Sequence, residues 1–199
     1  MEPEMKTVFV DVDTQWDFLS PSGALSVPGA ARLVPLIVEL NRFAAAQGFP
    51  VVSTTDAHGE NDPEFRQWPA HCVAGTLGQQ KPAGTLLDGR VSLSSAPGAR
   101  VDAGGWKQAL VEKQELDCFS NPNFGALLGD LSARRFVVYG VVTEYCVRCA
   151  ALGLLKTGAR VELVTDAIQS LDDQAAAQML AEFTAAGGVL TDTARVLSV

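Results

Sequence analysis

The chain of 199 residues lacks the features that mark several protein classes. It has no run of Lys and Arg, and its net charge of −8 argues against a surface that binds nucleic acid. No apolar span reaches the ~18 residues of a transmembrane helix. The start, MEPEMKTVFVDVD, is acidic and holds only a short apolar run, unlike a signal peptide. We therefore expect a cytoplasmic protein that binds neither membranes nor nucleic acid.

Histidine and cysteine are also scarce. The chain has two histidines, His58 and His71, which lie close together in the sequence. Its four cysteines are Cys72, Cys118, Cys146 and Cys149. Because cytoplasmic thiols stay reduced, these cysteines favour thiol chemistry or metal binding over a disulfide framework.

The remaining composition is that of an ordinary globular protein, with 47% hydrophobic and 19% charged residues. A chain of this length fits one α/β domain with a sizeable core. There is no internal repeat, low-complexity tract or linker that would divide it. We therefore predict a single domain over residues 1–199.

Strand patterns alternate with helix patterns along the chain. Apolar, β-branched runs predict strands at 7–12, 50–55, 90–93, 110–113, 136–139, 160–165 and 189–191. Helical spacing or turn signals predict helices at 33–48, 125–131, 145–155 and 170–186, the last with Ser170 and Asp173 as a capping box. Residues 59–89 are rich in Gly and Pro and predict a loop over the site. This alternation predicts an α/β fold, a three-layer sandwich with a mainly parallel central sheet and helices on both faces.

One strand-to-helix junction holds a cysteine. The strand pattern ends at Tyr139, Gly140 allows a sharp turn, and helical spacing begins at Tyr145. Cys146 therefore falls near the first turn of a helix. Free amides and the helix dipole favour an anion there, so we expect the junction to favour the thiolate.

Three strand ends supply unlike reactive groups: Asp13, Lys113 and Cys146. A thiol that attacks a carbonyl needs a base to take its proton and return it to a leaving amine. A carboxylate held by an ammonium group can serve as that base, so the trio suits amide hydrolysis. Each residue alone also fits a plainer role: a buried cysteine, a solvated lysine or a turn-forming aspartate.

A second cluster follows the second strand and consists of Asp56, His58, Glu64 and His71. Imidazole together with carboxylate suits zinc, iron or manganese. The alternative is ordinary loop polarity, with surface histidines and an Asx turn, and a loop glutamate such as Glu64 is normally solvated.

Cys146 and Cys149 also form a Cys-x-x-Cys motif at a helix start. This pattern is typical of thiol–disulfide oxidoreductases, in which Cys146 would attack and Cys149 would resolve. That hypothesis leaves Asp13, Lys113 and the Asp/His cluster without a function.

Four segments resemble a known family. They are VDVDTQWDF (10–18), TTDAHGEN (54–61), WPAHCVAGTLG (68–78) and GVVTEYCVRCAALG (140–153). Over nearly its whole length the chain resembles the nicotinamidase/pyrazinamidase family, within the isochorismatase-like cysteine hydrolases. Trp-Pro-x-His-Cys, with Asp-x-His upstream, separates nicotinamidase-like members from metal-free relatives. The resemblance implies the isochorismatase-like hydrolase fold.

The resemblance also implies catalytic roles. Asp13 would be the general acid/base, Lys113 its charged partner, and Cys146 the nucleophile that forms an acyl-enzyme. The family has a cis peptide bond without proline, which would fall between Val141 and Val142. The amides of Val142 and Cys146 would form an oxyanion hole.

A divalent metal and an aromatic pocket are implied as well. Asp56, His58 and His71 would bind the metal, commonly zinc, iron or manganese in this family, with zinc as our first expectation. Glu64 or water would complete the shell, and the metal would hold the pyridine nitrogen of the substrate. Phe18, Trp68 and Tyr145 would form aromatic walls, although Phe18 and Tyr145 also fit as core or loop residues.

The implied reaction converts nicotinamide to nicotinate and ammonia in NAD salvage, with pyrazinamide as a fortuitous substrate. Three departures bear on it: an extra acid at Asp11, the sequence DCFSNPNF after the lysine, and residues 81–106, which match nothing in the family. A related amidase acting on another small amide or carbamoyl compound is the alternative, followed by a binding protein that has lost activity. The sequence leaves open whether helix faces pack in the core or against a second copy in a homo-oligomer.

Overall fold

Seven parallel strands form one sheet in the computed structural model, which describes residues 6–102 and 105–198. The strands are β1 (Thr7–Val12), β2 (Val51–Asp56), β3 (Arg90–Leu93), β4 (Gln108–Lys113), β5 (Arg135–Val141), β6 (Arg160–Gln169) and β7 (Val189–Thr191). Their order is β3-β4-β2-β1-β5-β6-β7, and every neighbouring pair in the described residues is parallel. Parallel pairing requires crossovers, which the helices supply.

Helices cover both faces of the sheet. They are α1 (Trp16–Leu19), α2 (Leu33–Ala46), α3 (Phe124–Leu131), α4 (Arg148–Leu155), α5 (Asp173–Ala185) and α6 (Thr193–Leu197). One apolar cluster joins the sheet to α3, α4 and α5, and a second joins its other face to α2 and α6. The predicted three-layer α/β sandwich is confirmed. None of the helices in the described ranges is long and apolar enough to cross a membrane.

Strand β5 shows how the sequence builds these layers. Val138 belongs to the cluster under α3–α5, whereas Val137 and Tyr139 belong to the cluster under α2. Side chains alternate between the faces of a strand, so a strand buried on both sides needs a continuous apolar run. The run from Phe136 to Tyr139 meets that requirement.

The end of α5 nearest the site differs from the prediction. The helix begins at Asp173, and its N-cap is Asp172, whose Oδ1 accepts a hydrogen bond from Ala175 N at 2.7 Å. Ser170 Oγ instead donates to Asp173 Oδ1 at 3.3 Å. The predicted capping box was therefore wrong, because Asp172, directly before the helix, already accepts from the amide of its third residue, Ala175.

Gly140 lets β5 approach β1 closely at the carboxyl edge of the sheet. Its φ is +124°, and a Cβ there would lie 2.1 Å from Val12 O. Only glycine fits a backbone of that conformation with a neighbouring strand so near. The chain can therefore turn from β5 directly into the segment that carries Cys146.

Candidate active site

Four neighbouring strands, β4, β2, β1 and β5, deliver the predicted site residues to one edge of the sheet. Asp56 ends β2 and pairs in register with Lys113, which ends β4. Asp13 follows β1, and Cys146 lies five residues beyond β5. Ligand sites of open parallel sheets lie at this edge. The structure thus brings together residues that are up to 133 positions apart in sequence (146 − 13).

Lys113 lies at the centre of the cluster, with its side chain 1% exposed. Its Nζ is 2.8 Å from Asp13 Oδ2, also contacts Asp56 Oδ1, and lies 3.6 Å from Cys146 Sγ. It donates a further hydrogen bond to Glu115 O at 3.0 Å. Burial acts to lower the pKa of Lys113, but the two carboxylates outweigh burial and raise it well above its usual value. The group is therefore an ammonium ion.

The pKa values of the two carboxylates beside Lys113 are shifted in opposite directions. Burial raises the pKa of Asp13, and Asp56 adds to the rise, against the lowering effect of Lys113. Burial also acts to raise the pKa of Asp56, but Lys113 and His58 bring it below its usual value. Thr54 Oγ1 donates to Asp13 Oδ1 at 2.6 Å and fixes its orientation. Asp13 is thus the carboxylate suited to accept a proton.

Cys146 lies in a π-helical turn, Thr143–Val147, that leads directly into α4. Burial raises its thiol pKa well above the usual value; Lys113 opposes this rise, while Asp13 and Asp56 add to it. The raised pKa is opposite to the expected favouring of the thiolate, because burial and the two carboxylates act against ionisation of the thiol. Cys146 Sγ lies within 4.8 Å of a carboxylate oxygen of Asp13, so a candidate base is close to the thiol.

The second cysteine of the Cys-x-x-Cys motif does not favour a redox site. Cys149 is half-buried and Cys146 is buried, and both are free thiols. Burial, helped by Asp117, raises the thiol pKa of Cys149. Thiol–disulfide exchange depends on a thiolate, and redox motifs lower the pKa of the attacking cysteine. The raised pKa values of Cys146 and Cys149 are thus opposite to those of a redox motif.

The predicted metal ligands converge beside Lys113. The ligand atoms of Asp56, His58 and His71 all lie within 4.8 Å of one another. Asp56 Oδ2 is 3.9 Å from both imidazole Nε2 atoms. Glu64 Oε1 is 3.9 Å from His71 Nε2, so the glutamate also borders the cluster.

The orientation of the two imidazoles fits a metal. His58 Nδ1 bonds to Asp62 Oδ2 at 3.0 Å, and His71 Nδ1 bonds to Pro69 O at 2.8 Å. Such outer partners hold the proton on Nδ1 and leave Nε2 as the ligand atom. His58 Nε2 is buried and has no hydrogen-bond partner among the described residues. Two imidazoles and a carboxylate with a bare, inward-facing nitrogen match the donor set of zinc, iron or manganese.

Sequence reasoning missed the residues that hold the ligands. Gln15 Oε1 accepts from Asp56 N at 2.7 Å, and its Nε2 donates to Asp56 O at 2.8 Å and to Gln79 O at 2.7 Å. Asp62 was missed as the partner of His58. Gln15 does lie in the first motif, two residues after Asp13, but the motif does not indicate which backbone atoms its side chain contacts.

The extra acid of the first motif lies outside the site. Asp11 Oδ2 is 3.2 Å from Lys81 Nζ and accepts a hydrogen bond from Ser53 Oγ at 3.0 Å. Both charged side chains are buried. Lys81 is the first residue of the unmatched segment 81–106, so this ion pair anchors the start of that segment against the sheet.

An aromatic pocket opens above Cys146. It is lined by Phe18, Leu25, Asp56, Glu64, Trp68, His71, Leu116, Val142, Tyr145, Cys146 and Leu171. The rings of Trp68 and Tyr145 meet edge to face, with centroids 5.6 Å apart and planes at 85°. The ring of Phe18 lies 5.4 Å from that of His71. The three predicted aromatic residues thus share one pocket with the cysteine, together with three leucines that the sequence did not indicate.

The backbone before the cysteine has the expected conformation. The peptide bond between Val141 and Val142 is cis, as predicted. Val142 O accepts hydrogen bonds from Tyr145 N at 3.0 Å and Val147 N at 3.1 Å, which fixes the turn around Cys146. Val142 and Cys146, the predicted oxyanion-hole pair, both line the pocket.

Glu144 holds the far side of the pocket in place. Its Oε1 accepts hydrogen bonds from Leu171 N and Asp172 N, each at 2.9 Å. Leu171 lines the pocket directly. A residue two positions before the cysteine therefore fixes the segment between β6 and α5 over the site.

Comparisons with known proteins agree with this geometry. The family model described as the Isochorismatase domain matches residues 7–195. The nicotinamidase of Escherichia coli (strain K12) is 26% identical, with 90% of this chain and 91% of that protein covered. The nicotinamidase/pyrazinamidase of Mycobacterium tuberculosis is 31% identical, with 78% and 82% covered. The structure of the pyrazinamidase of Pyrococcus horikoshii in complex with zinc has a TM-score of 0.78 and 28% identity, with 94% and 99% covered.

Proposed function

This chain belongs to the isochorismatase family of hydrolases, and on that premise we propose that it is an amidase that converts nicotinamide to nicotinate and ammonia. One observation carries the proposal. Cys146, Asp13 and Lys113 lie beside the Asp56/His58/His71 cluster, under a pocket with aromatic walls. The names of the Escherichia coli and Mycobacterium tuberculosis relatives support nicotinamide as the substrate.

Acylation begins at the thiol of Cys146. Asp13 takes the thiol proton as the sulfur attacks the amide carbonyl carbon, and the carbonyl oxygen becomes an oxyanion. The amides of Val142 and Cys146 stabilise that charge. When the C–N bond breaks, Asp13 returns the proton to the leaving nitrogen, which departs as ammonia. Lys113 keeps Asp13 in place and balances its charge throughout.

Deacylation uses the same base. Asp13 takes a proton from water as the water oxygen attacks the thioester carbonyl carbon. The second oxyanion collapses and the C–S bond breaks, which releases nicotinic acid; its carboxyl proton passes to the solvent and leaves nicotinate. The sulfur recovers its proton from Asp13, so the cycle ends with both groups restored.

The metal cluster and the pocket would orient the ring. Asp56, His58 and His71 would hold a divalent metal, zinc first, with Glu64 or water completing its shell. When bound, such a metal supplies a Lewis acid that holds the pyridine nitrogen of the substrate. Phe18, Trp68 and Tyr145 would enclose the ring by edge and face contacts.

The chemistry of the reaction suggests a cellular compartment and a pathway for the enzyme. A nucleophilic thiol must stay reduced, so we place the enzyme in the cytoplasm, and its product would enter NAD salvage. We take the whole chain as one hydrolase domain.

Ammonia release from nicotinamide tests the proposal. The zinc-loaded protein should release ammonia from nicotinamide and pyrazinamide, and Cys146→Ser should lower the rate at least about 100-fold. Cys149→Ser is the matched control and should retain nearly the full rate. A protein that turns over neither amide, with zinc, iron or manganese supplied, would disprove the proposal. Disulfide-exchange activity that is abolished in Cys149→Ser would instead favour the redox hypothesis.

One observation keeps a second substrate class open. Leu116 lines the pocket and lies next to the segment 117–124, where the sequence departs from many nicotinamidases. A related amidase acting on another small amide or carbamoyl compound would use the same cysteine chemistry. Turnover of an N-carbamoyl compound without turnover of nicotinamide would favour this alternative.

A further inference from the structure

A carboxylate outside the pocket connects the segments that carry the metal-site histidines. Asp17 lies in α1, is half-buried, and does not line the pocket. Its Oδ2 accepts a hydrogen bond from Cys72 N at 2.7 Å, and its Oδ1 accepts one from Ala24 N at 2.9 Å. The Asp17 carboxylate is therefore bonded to the residue directly after His71, which lies 55 positions away in the sequence.

The backbone at Cys72 depends on such support. Cys72 has a φ of +45°, in the left-handed region that side chains other than glycine rarely adopt. This turn directly follows His71 and sets the direction in which the imidazole enters the cluster. A charge-assisted hydrogen bond to the amide of Cys72 is among the stronger interactions that can hold it.

The same turn is bonded to the segment of the other histidine. His58 N donates to Cys72 O at 3.2 Å, and Ala74 N donates to His58 O at 2.9 Å. A shift of the turn at Cys72 would therefore move both imidazoles. The positions of His58 and His71 are coupled through backbone bonds that end at Asp17.

Gly78 leaves room for the Asp17 carboxylate. A Cβ on Gly78 would lie 2.1 Å from Asp17 Oδ2, and Asp17 N donates to Gly78 O at 3.0 Å. The backbone of Gly78 is not in the left-handed region. Alanine is thus excluded at this position by the space that the carboxylate fills, and not by conformation.

We propose that Asp17 is a positioning residue of the metal site, which acts by holding the Cys72 turn so that His71 and His58 face the metal. The inference rests on the metal site of the proposed function. Both oxygens of the carboxylate accept from backbone amides, so asparagine cannot replace it. Its NH₂ group would face one of two N–H donors, and one bond would be lost.

The first test is zinc affinity. Protein stripped of metal is titrated with zinc against a chromophoric chelator, which reports affinity without any substrate. Asp17→Asn should weaken zinc binding about 10- to 100-fold, the usual effect of losing an outer partner of a metal ligand. The control is Asp192→Asn, because Asp192 is also half-buried and accepts from a backbone amide, Arg195 N at 2.8 Å. It should bind zinc within threefold of wild type.

A second variant displaces the carboxylate while keeping its charge. Gly78→Ala should weaken zinc binding to a similar extent, because its Cβ takes the place of Asp17 Oδ2. Gly125→Ala, where nothing lies within 4 Å of the new Cβ, is the control. At saturating zinc, the ammonia release of Asp17→Asn should recover towards the wild-type rate. Because zinc also stabilises the folded state, the circular dichroism spectrum of the metal-free variant should match that of wild type, which excludes a general loss of structure.

The outcomes separate this inference from the proposed function. Wild-type affinity for zinc in Asp17→Asn, or in Gly78→Ala if the first variant does not fold, would overturn the positioning role alone. Unchanged zinc affinity in His71→Ala would instead disprove the metal site itself, and the inference with it.

Discussion

At the residue scale, Lys113 is shared by two carboxylates that differ in function because they differ in surroundings. Asp13 is buried against the thiol and has a raised pKa, whereas Asp56 faces the imidazoles and has a lowered one. Pairs of acids whose environments separate their pKa values are typical of sites that need one base and one permanent anion. In the proposed function, the permanent anion, Asp56, would be a metal ligand, and the base would be Asp13, beside Cys146.

Replacement of Asp13 by Asn tests this division. Because the amide cannot take the thiol proton, kcat for nicotinamide should fall about 100- to 10,000-fold, the usual contribution of a general base. Zinc content should stay near that of wild type, because Asp13 is not a predicted ligand. Steady-state ammonia release and elemental analysis of the same sample measure both. A rate within tenfold of wild type would rule out Asp13 as the base.

The sequence indicated the candidate reactive residues that the structure brings together, but it did not indicate the residues that hold them. Cys146, Asp13 and the two histidines are chemically distinctive and occur in motifs. Gln15 and Asp17 act through hydrogen bonds to backbone atoms 41 and 55 positions away. Such bonds leave no local periodicity, and only the fold shows which amide lies within reach.

At the element scale, Gly140 allows the chain to pass from β5 into the turn Thr143–Val147, which carries Cys146. Gly140→Ala places a Cβ against Val12 O and forces a positive φ on alanine. Overpacking and an unfavourable backbone conformation each cost about 1–3 kcal/mol.

We therefore expect Gly140→Ala to lower the free energy of unfolding by about 2–5 kcal/mol, as measured by urea denaturation. Gly125→Ala in α3 is the control, and it should be neutral or slightly stabilising because its new Cβ meets open space. Equal stability of the two variants would show that β1 and β5 can separate at this edge.

A charged cluster of Glu162, Arg135 and Arg160 joins β5 to β6, near the start of both strands and away from the candidate site. Glu162 Oε2 accepts from Arg135 Nη2 at 2.7 Å, and its Oε1 accepts from Arg160 Nε at 2.6 Å. Burial acts to raise the pKa of Glu162, but the hydrogen bonds from the two arginines bring it below the usual value. A carboxyl group whose pKa is lower in the folded state stabilises the fold above its unfolded pKa.

Glu162→Gln should therefore lower stability at pH 7 by about 1–3 kcal/mol. The difference from wild type should shrink as pH falls below about 4.3, where Glu162 of the unfolded chain takes up a proton, and it should be lost once pH falls through the lowered pKa of the folded chain. Denaturation at a series of pH values measures this convergence. Glu182→Gln, which removes the exposed partner of Arg148, should have a smaller effect. A constant difference down to pH 3 would contradict the electrostatic account.

The end of β6 and the short helix α6 were not predicted from the sequence. The strand pattern ended at Thr165, yet β6 continues to Gln169, past a register shift between β5 and β6. The short helix α6 has an Asp192 cap but only five residues, too few for a helical period to be recognised. Long apolar runs fixed the order of the elements, whereas irregular pairing and short helices depend on tertiary contacts.

At the scale of the whole molecule, the proposed metal joins segments that the sheet alone does not fix. Asp56 ends a strand, whereas His58 and His71 lie in the long connection between β2 and β3. That connection has only short helical turns and the bridge between His58 and Val73. A ligand that binds only the folded state stabilises it according to its free concentration and dissociation constant.

Zinc should therefore raise the melting temperature even without substrate. At a free concentration 100 times the dissociation constant, the gain is about 2.7 kcal/mol. For a chain of this length, that corresponds to a rise of roughly 5–11 °C. Scanning calorimetry with zinc and with excess chelator measures the shift, and His71→Ala is the matched variant that should lose most of it. An equal rise in wild type and His71→Ala would place the zinc elsewhere, because a variant without one imidazole cannot bind it equally tightly at this site.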